Sequence, residues 1–171
     1  RGTAKLARSY RGVQLFSILG EEIDEVFFCS SKEKSLTGYM HELDWSGSDV
    51  VFVNPIHFTD TDINLLAETK SKIVACPRSN ARGTGISKLT EMMKKQIVLG
   101  IGTAGSAGND RASMQEELLW ARYLQGARGL NYLKPYQTLK MGTFGGASVI
   151  NRTDLGTIEV GKTADLIIYK I

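Results

Sequence analysis

Long apolar runs, paired cysteines and blocks of one charge sign are all missing from this chain of 171 residues, and each absence removes a class of protein. No stretch reaches the roughly 18 consecutive apolar residues that a bilayer-crossing helix needs, and no charged-then-apolar leader opens the chain. No membrane partner is therefore expected, and a soluble cytoplasmic protein is. Cys29 and Cys76 stand in apolar surroundings without CxxC spacing, which reads as two reduced core thiols and not as a disulfide framework. The 21 basic and 18 acidic residues are spread along the sequence and leave a formal charge of +3 with no basic stripe, so nucleic acid is not an expected partner. What is present is ordinary globular composition, 42% hydrophobic and 23% charged, which fits neither disorder nor a collagen-like repeat.

Apolar strand candidates alternate with helical stretches, the pattern of a parallel α/β sheet. The chain opens on Arg1 inside what reads as a helix tail, as expected where an upstream part has been removed or lost. Helical spacing over Thr3 to Arg11 ends at Gly12, Val13 to Leu19 reads as the first strand, and Glu21 to Leu43 as largely helical. Val50 to Val53 is a β-branched run stopped by Asn54-Pro55, because proline cannot continue a central ladder. Thr59 to Asp62 is an N-cap cluster for a helix over Ile63 to Glu68, with Ile63, Leu66 and Ala67 on one face. Ile73 to Cys76 is the third strand, Lys88 to Lys95 a helix, and Gln96 to Ile101 the fourth strand. Ala112 to Gln125 has the clearest helical period, through Met114, Leu118, Ala121 and Leu124 or Gln125, with Trp120 expected on the exterior. Pro135 suits a first helical turn, with helix continuing from Tyr136 to Ile150. The tail changes character, and Asp165 to Ile171 reads as a separate β-strand.

The segments CPRSN at 76 to 80, GTAGSAGND at 102 to 110, LLWARYLQ, LKMGTFGGASVI and DLGTIEVGKTADLIIYKI stand in an order and spacing that resemble the C-terminal half of amidohydrolase-superfamily aminohydrolases, in particular the branch of triazine hydrolases and 8-oxoguanine deaminases. The resemblance implies the second half of a TIM-type (β/α)₈ barrel over residues 1–150, with active-site groups at the C-terminal strand ends, and one strand of an accessory β-sandwich over residues 151–171. It also implies a mononuclear zinc or iron that activates water for hydrolysis of a non-peptide C–N bond on an N-heterocycle such as a purine or triazine.

The same resemblance assigns positions. The family's HxH metal pair falls before Arg1. Its third metal histidine falls on Ile18 and its catalytic acid/base on Glu21. Its second catalytic histidine falls on Asn54, where VNPIHFTD replaces a pattern close to AHCxHLTD, and His57 matches the later histidine. Arg78, Ser79 and Asn80 fall at the pocket mouth, and the last metal ligand, an aspartate, falls on Ala104. Ile18 and Ala104 carry no donor atom, and a catalytic zinc needs about three or four N, O or S donors. An asparagine amide cannot take a proton near neutral pH as imidazole can. The expectation is therefore no metal cofactor at this site and no deamination, with Glu21 vestigial.

Competing readings of the same residues are few. His57 with Asp60 and Asp62 offers three donors, but the two carboxylates are also what a first helical turn favours. Glu21-Glu22 at a helix start has the same bland explanation, His41 reads as solvated, and Asn80 also serves as a turn cap. Glycines 100, 102 and 105 satisfy GxGxxG before a helix, yet no strand with a ribose-binding acid follows that helix, as a dinucleotide site requires. Three functions remain open: a catalytically silent relative that retains a pocket for a small N-heterocyclic ligand, the C-terminal part of an active hydrolase completed by an N-terminal half, and a scaffold or interaction module. Four βα units cannot close a barrel, so edges at Val13 to Leu19 and Gln96 to Ile101 are expected to drive self-association or docking on a complementary half.

Overall fold

A computed structural model describes residues 35–82, 85–105, 109–129 and 132–170. The expected helix at Thr3 to Arg11, the strand at Val13 to Leu19, most of the stretch from Glu21, and the residues Ile18, Glu21 and Cys29 lie outside the described residues.

Three short strands, β1 (Val51–Val53), β2 (Lys72–Ala75) and β3 (Leu99–Ile101), form a parallel sheet in the order β1-β2-β3. Val53 is in register with Val74, and Ala75 with Ile101, so all three C-terminal ends lie along one edge. Parallel neighbours need a crossover, and helices supply it. Helix α1 (Leu36–Glu42) precedes β1, α2 (Asp60–Thr69) joins β1 to β2, and α3 (Pro77–Ala81) with α4 (Leu89–Lys94) joins β2 to β3. Helix α5 (Met114–Arg128) follows. A last helix runs through α6 (Pro135–Lys140), a π-helical turn (Met141–Gly145) and α7 (Gly146–Val149) without a break.

The capping expectation at Thr59 holds in full. The Thr59 hydroxyl accepts from the Asp62 N–H at 3.2 Å, and the Asp62 carboxylate accepts from the Thr59 N–H at 2.7 Å, closing a capping box. Asp62 also accepts from the Thr37 hydroxyl, which ties α1 to α2. At the other end Lys70 turns left-handed at φ 58°, the Ser71 N–H reaches back to Leu66 O and the Lys70 N–H to Ala67 O. The same closure ends α1 at Asp44 and α4 at Gln96, so three helices stop on Schellman turns without glycine. This corrects the strand expected over Gln96 to Ile101. Gln96 and Ile97 donate to Met93 O and Met92 O and finish α4, so β3 begins at Leu99, with Val98 O just before it accepting from the Ile73 N–H at 3.0 Å.

The core lies between the sheet and its helices, with Leu66, Ile73, Met92, Ala121 and Leu133 fully buried. Burying a Leu or Ile side chain of this kind contributes about 1.5–3 kcal/mol relative to exposure. Gly145 in the π-helical turn presses on β3 so closely that a Cβ there would overlap the Leu99 carbonyl oxygen. Glycine is required because backbone meets backbone.

Two expectations fail. The buried stripe of α5 does not start at Met114, which is exposed; it runs through Glu117, Ala121 and Gln125, one turn apart. Polar side chains take these places because each finds partners inside: Gln125 donates to Ser87 O at 2.8 Å and accepts from the Thr90 N–H. Residues 165–170 carry no ladder, and Ile168 is 93% exposed. A β-branched run becomes a strand only where a neighbouring strand pairs its backbone, and none of the described residues does so. Upstream of it, Thr163 reaches back to Asp154, and Gly156 lies against Phe144 of the π-helical turn.

Candidate functional site

The C-terminal edge of the sheet gathers the positions singled out from the sequence. Asn54 follows β1, Cys76 and α3 follow β2, and Gly102 to Gly105 follow β3. Neighbouring strands are about 4.8 Å apart, so the β1 and β3 ends face each other across roughly 10 Å.

Asn54 leaves β1 with φ 57°, held by its N–H to Val74 O at 2.9 Å. Its side-chain Oδ1 is buried and has no hydrogen-bond partner among the described residues. His57, three residues on, is exposed, and its ring lies beside Gly85 on the facing loop. Its suggested partners serve other purposes: Asp60 pairs with Lys88 at 2.8 Å, which holds its carboxyl below the usual value, and Asp62 caps α2. The structure therefore does not bring His57, Asp60 and Asp62 together as a ligand set. His41 is exposed and within 2.6 Å of the Ser46 hydroxyl.

Pro77 at the first turn of α3 directs the chain away from β2, and Asn80 is buried with its Nδ2 donating to the Ser87 hydroxyl at 3.4 Å. That partner makes Asn80 part of the packing between α3 and the 85–88 loop. Arg78 sends its guanidinium to Glu116 at 2.8 Å and to Arg111 O at 3.0 Å, binding α3 to the start of α5. Arg82 pairs with Asp110 on the same seam.

Past β3, the Gly102 N–H donates to Ala75 O at 2.9 Å and extends the ladder by one bond. Ala104 then turns left-handed at φ 56° with its side chain exposed. An L-residue with a Cβ is disfavoured there, whereas Asn and Asp tolerate it. Cys76 is 3% exposed at the end of β2, and a Cβ at Gly102 would lie 3.5 Å from its Sγ. Burial pushes the thiol up to about 11; the Ala104 N–H works against that shift and the Glu117 charge adds to it. At neutral pH Cys76 is a protonated, unreactive thiol.

Sequence reasoning missed Glu117. Its carboxylate is 0% exposed, accepts from the Arg78 N–H at 3.0 Å, and accepts from the Asn109 side-chain amide. The one available signal was its spacing of four from Ala121 and eight from Gln125, which a hydrophobicity pattern ignores.

Two activities can be set against this geometry. Ala104 offers no side-chain donor and Asn54 a neutral amide, and no group of three His, Cys, Asp or Glu that could hold an ion occurs among the described residues. Nor does the glycine-rich turn serve a dinucleotide, since α5 leads into α6 and not into a strand that could carry a ribose-binding acid.

The model of the amidohydrolase family matches residues 3–171. This chain belongs to that family. It is similar to the 8-oxoguanine deaminase of Pseudomonas aeruginosa, 34% identical over 100% of this chain and 38% of that protein, and to the guanine deaminase of Escherichia coli, 30% identical over 97% of this chain and 38% of that protein. Among solved structures it is similar to an adenosine deaminase from Xanthomonas campestris with bound zinc (TM-score 0.71, 31% identity, 74% of this chain and 30% of that one). It is also similar to the atrazine chlorohydrolase from Arthrobacter aurescens complexed with zinc (TM-score 0.71, 26% identity, 74% of this chain and 29% of that one). The chain thus spans less than two fifths of the length of these relatives. Family membership agrees with the resemblance read from the sequence and with the α/β fold and its parallel sheet. No described helix is long and apolar enough to cross a membrane.

Proposed function

We propose that this chain is part of a catalytically silent amidohydrolase: a stretch of a deaminase-type (β/α)₈ barrel that keeps the strand-end architecture and has lost the groups that grip a metal. The observation that carries the reading is Ala104, a residue with no lone pair at the end of β3, held in a left-handed turn that suits the aspartate implied by the family resemblance better than it suits alanine. Asn54 supports it from the end of β1, where an amide stands in place of a proton-accepting imidazole. Ile18 repeats the loss in sequence, and Glu21, without a metal-activated water, has no reaction to serve. The remaining chemistry of the face is polar recognition: Asn54 Oδ1 is a buried acceptor suited to an N–H of a small N-heterocycle. The 1–150 stretch supplies the barrel, residues 151–171 belong to an accessory β-sandwich in which 165–170 pair only when the sandwich's other strands are present, and the protein resides in the cytoplasm.

The short span relative to the deaminases favours one further element of the proposal. Four βα units cannot close a barrel, so the edges expected at Val13 to Leu19 and at the last strand lead the stretch to dock on a complementary barrel half or on a second copy. Completion by such a half does not by itself restore turnover, because Ile18, Asn54 and Ala104 lie on this side.

The test is metal content by plasma mass spectrometry together with deamination assays on guanine, 8-oxoguanine and aminotriazines, run on the purified chain and on the variant Ile18→His/Asn54→His/Ala104→Asp. Substoichiometric zinc and iron with no turnover in the parent is the expected result. Stoichiometric metal with turnover abolished by a chelator would overturn the proposal. Binding of a purine or triazine without turnover, read as a rise in melting temperature, identifies the retained pocket.

A further inference from the structure

The most deeply buried charged group described has no place in the reading above. Glu117 projects from the first turns of α5 with no solvent exposure, and its two oxygens are used on two different segments, the start of α3 and Asn109. One accepts from the backbone N–H of Arg78 at 3.0 Å, just past the end of β2. The other accepts from the Asn109 side-chain amide, whose Nδ2 also donates to Thr103 O at 2.8 Å, just past the end of β3. Asn109 Oδ1 in turn accepts from the Arg111 N–H at 3.3 Å. The neighbouring guanidiniums are engaged elsewhere: Arg78 and Arg111 pair with Glu116, and Arg82 with Asp110. Glu117 is therefore held by amide donors, not by a cation.

From this we infer that Glu117 is the positioning residue of the functional face: its carboxylate ties the Cys76-to-Arg78 segment, through Asn109, to Thr103 at the end of β3 and thereby fixes where the Ala104 N–H meets Cys76. It touches no reacting atom, and the inference is independent of whether the face binds a metal. Buried charge is costly unless fully hydrogen-bonded, so its retention at 0% exposure depends on both segments being docked. Conversely, removing the charge frees both segments at once.

Glu117→Gln keeps the volume but turns an NH₂ toward one of the two donors. Cys76, covered by the Ala104 turn, reports loop release, and peptide mapping separates its labelling from that of Cys29. In the full chain Glu117→Gln should accelerate labelling of Cys76 by an aromatic disulfide by about tenfold or more, the loss expected for one hydrogen bond to a charged group. Amide exchange should rise at Arg78 and Ala104 but not at Leu66 or Ile73, and the Cys76 thiol should titrate below about 11 because a negative neighbour is gone. Glu116→Gln, which breaks only the Arg78 and Arg111 ion pairs, should change none of these. Asn109→Ala, a milder variant should Glu117→Gln fold poorly, should release the Thr103–Ala104 turn while leaving Arg78 protected. Labelling and exchange unchanged in both variants, or raised equally at Leu66 and Ile73, would show that Glu117 only packs, and would overturn the inference.

Discussion

Replacing Ala104 by glycine should make this protein more stable, which is unusual for a change that removes a side chain. Ala104 sits at φ 56° with its Cβ exposed, so the methyl group gives up no core packing when it is removed. The left-handed conformation costs an L-residue about 1–2 kcal/mol, a penalty glycine does not carry. Against this, glycine adds about 0.4–1 kcal/mol of conformational freedom to the unfolded chain. The difference leaves a net gain of about 0.5–1 kcal/mol, or ~1–4 °C in melting temperature at this chain length. Ala104→Asn should fall between the two, since its short polar side chain populates this region, and Ala104→Val should be the least stable because a β-branched residue is most strained there. Urea melts followed by far-UV circular dichroism give the order through their midpoints, provided the slopes agree. A glycine variant no more stable than the parent, or a valine variant equal to it, would mean that the turn after β3 is not left-handed, and the argument that it suits an aspartate would go with it.

Other outcomes follow from the same geometry. Thr59→Ala opens the capping box of α2 and should cost about 1 kcal/mol, with Thr59→Ser recovering most of it, measured by chemical denaturation. Burial alone pushes the Asp62 carboxyl up, but hydroxyls of Ser35, Thr37 and Thr59 with the Thr59 N–H together hold it below its ordinary value. A depressed folded value means that Asp62 stabilises fully above the ordinary carboxylate range and loses that contribution as pH falls through and below it. Asp62→Asn should therefore be less stable near neutrality and show a shallower loss of stability between pH 5 and pH 2, a range set by the ~3.9 of a free Asp; parallel curves for the two proteins would refute the assignment. Gly145→Ala drives a methyl group into the Leu99 carbonyl and should cost about 1–3 kcal/mol or more, while Gly146→Ala, where a Cβ meets only ordinary contacts, should be close to neutral or stabilising.

Much of the local structure was legible because its causes lie within a few residues. A Thr-x-x-Asp box closes over three positions, so α2 could be located from Thr59 and Asp62 alone. Pro135 marks a first turn for the same reason, and the apolar run at Ile73 to Cys76 located β2 within a residue at each end, whereas the short helix α3 after Pro77 was not anticipated. The family, too, could be read from ordered short segments. The left-handed ends at Asp44, Lys70 and Gln96 were not legible, since none is glycine and their signal is a pair of backbone hydrogen bonds formed only once the helix exists.

By itself, then, the sequence located most of the helices and strands of the described residues, β1, β2, α2, α5 and the start of α6, because periodicity, capping and the chemistry of a side chain are local properties. Only the tertiary structure decided that Glu117 goes inside while Met114 stays out, and that Gln125 and not Leu124 takes the buried place, since the partners that make their burial tolerable, the Arg78 N–H and Ser87 O, lie 39 and 38 residues away along the chain. It also decided that residues 165–170 find no pairing partner among the described residues, because strand pairing belongs to two segments and cannot be written into one.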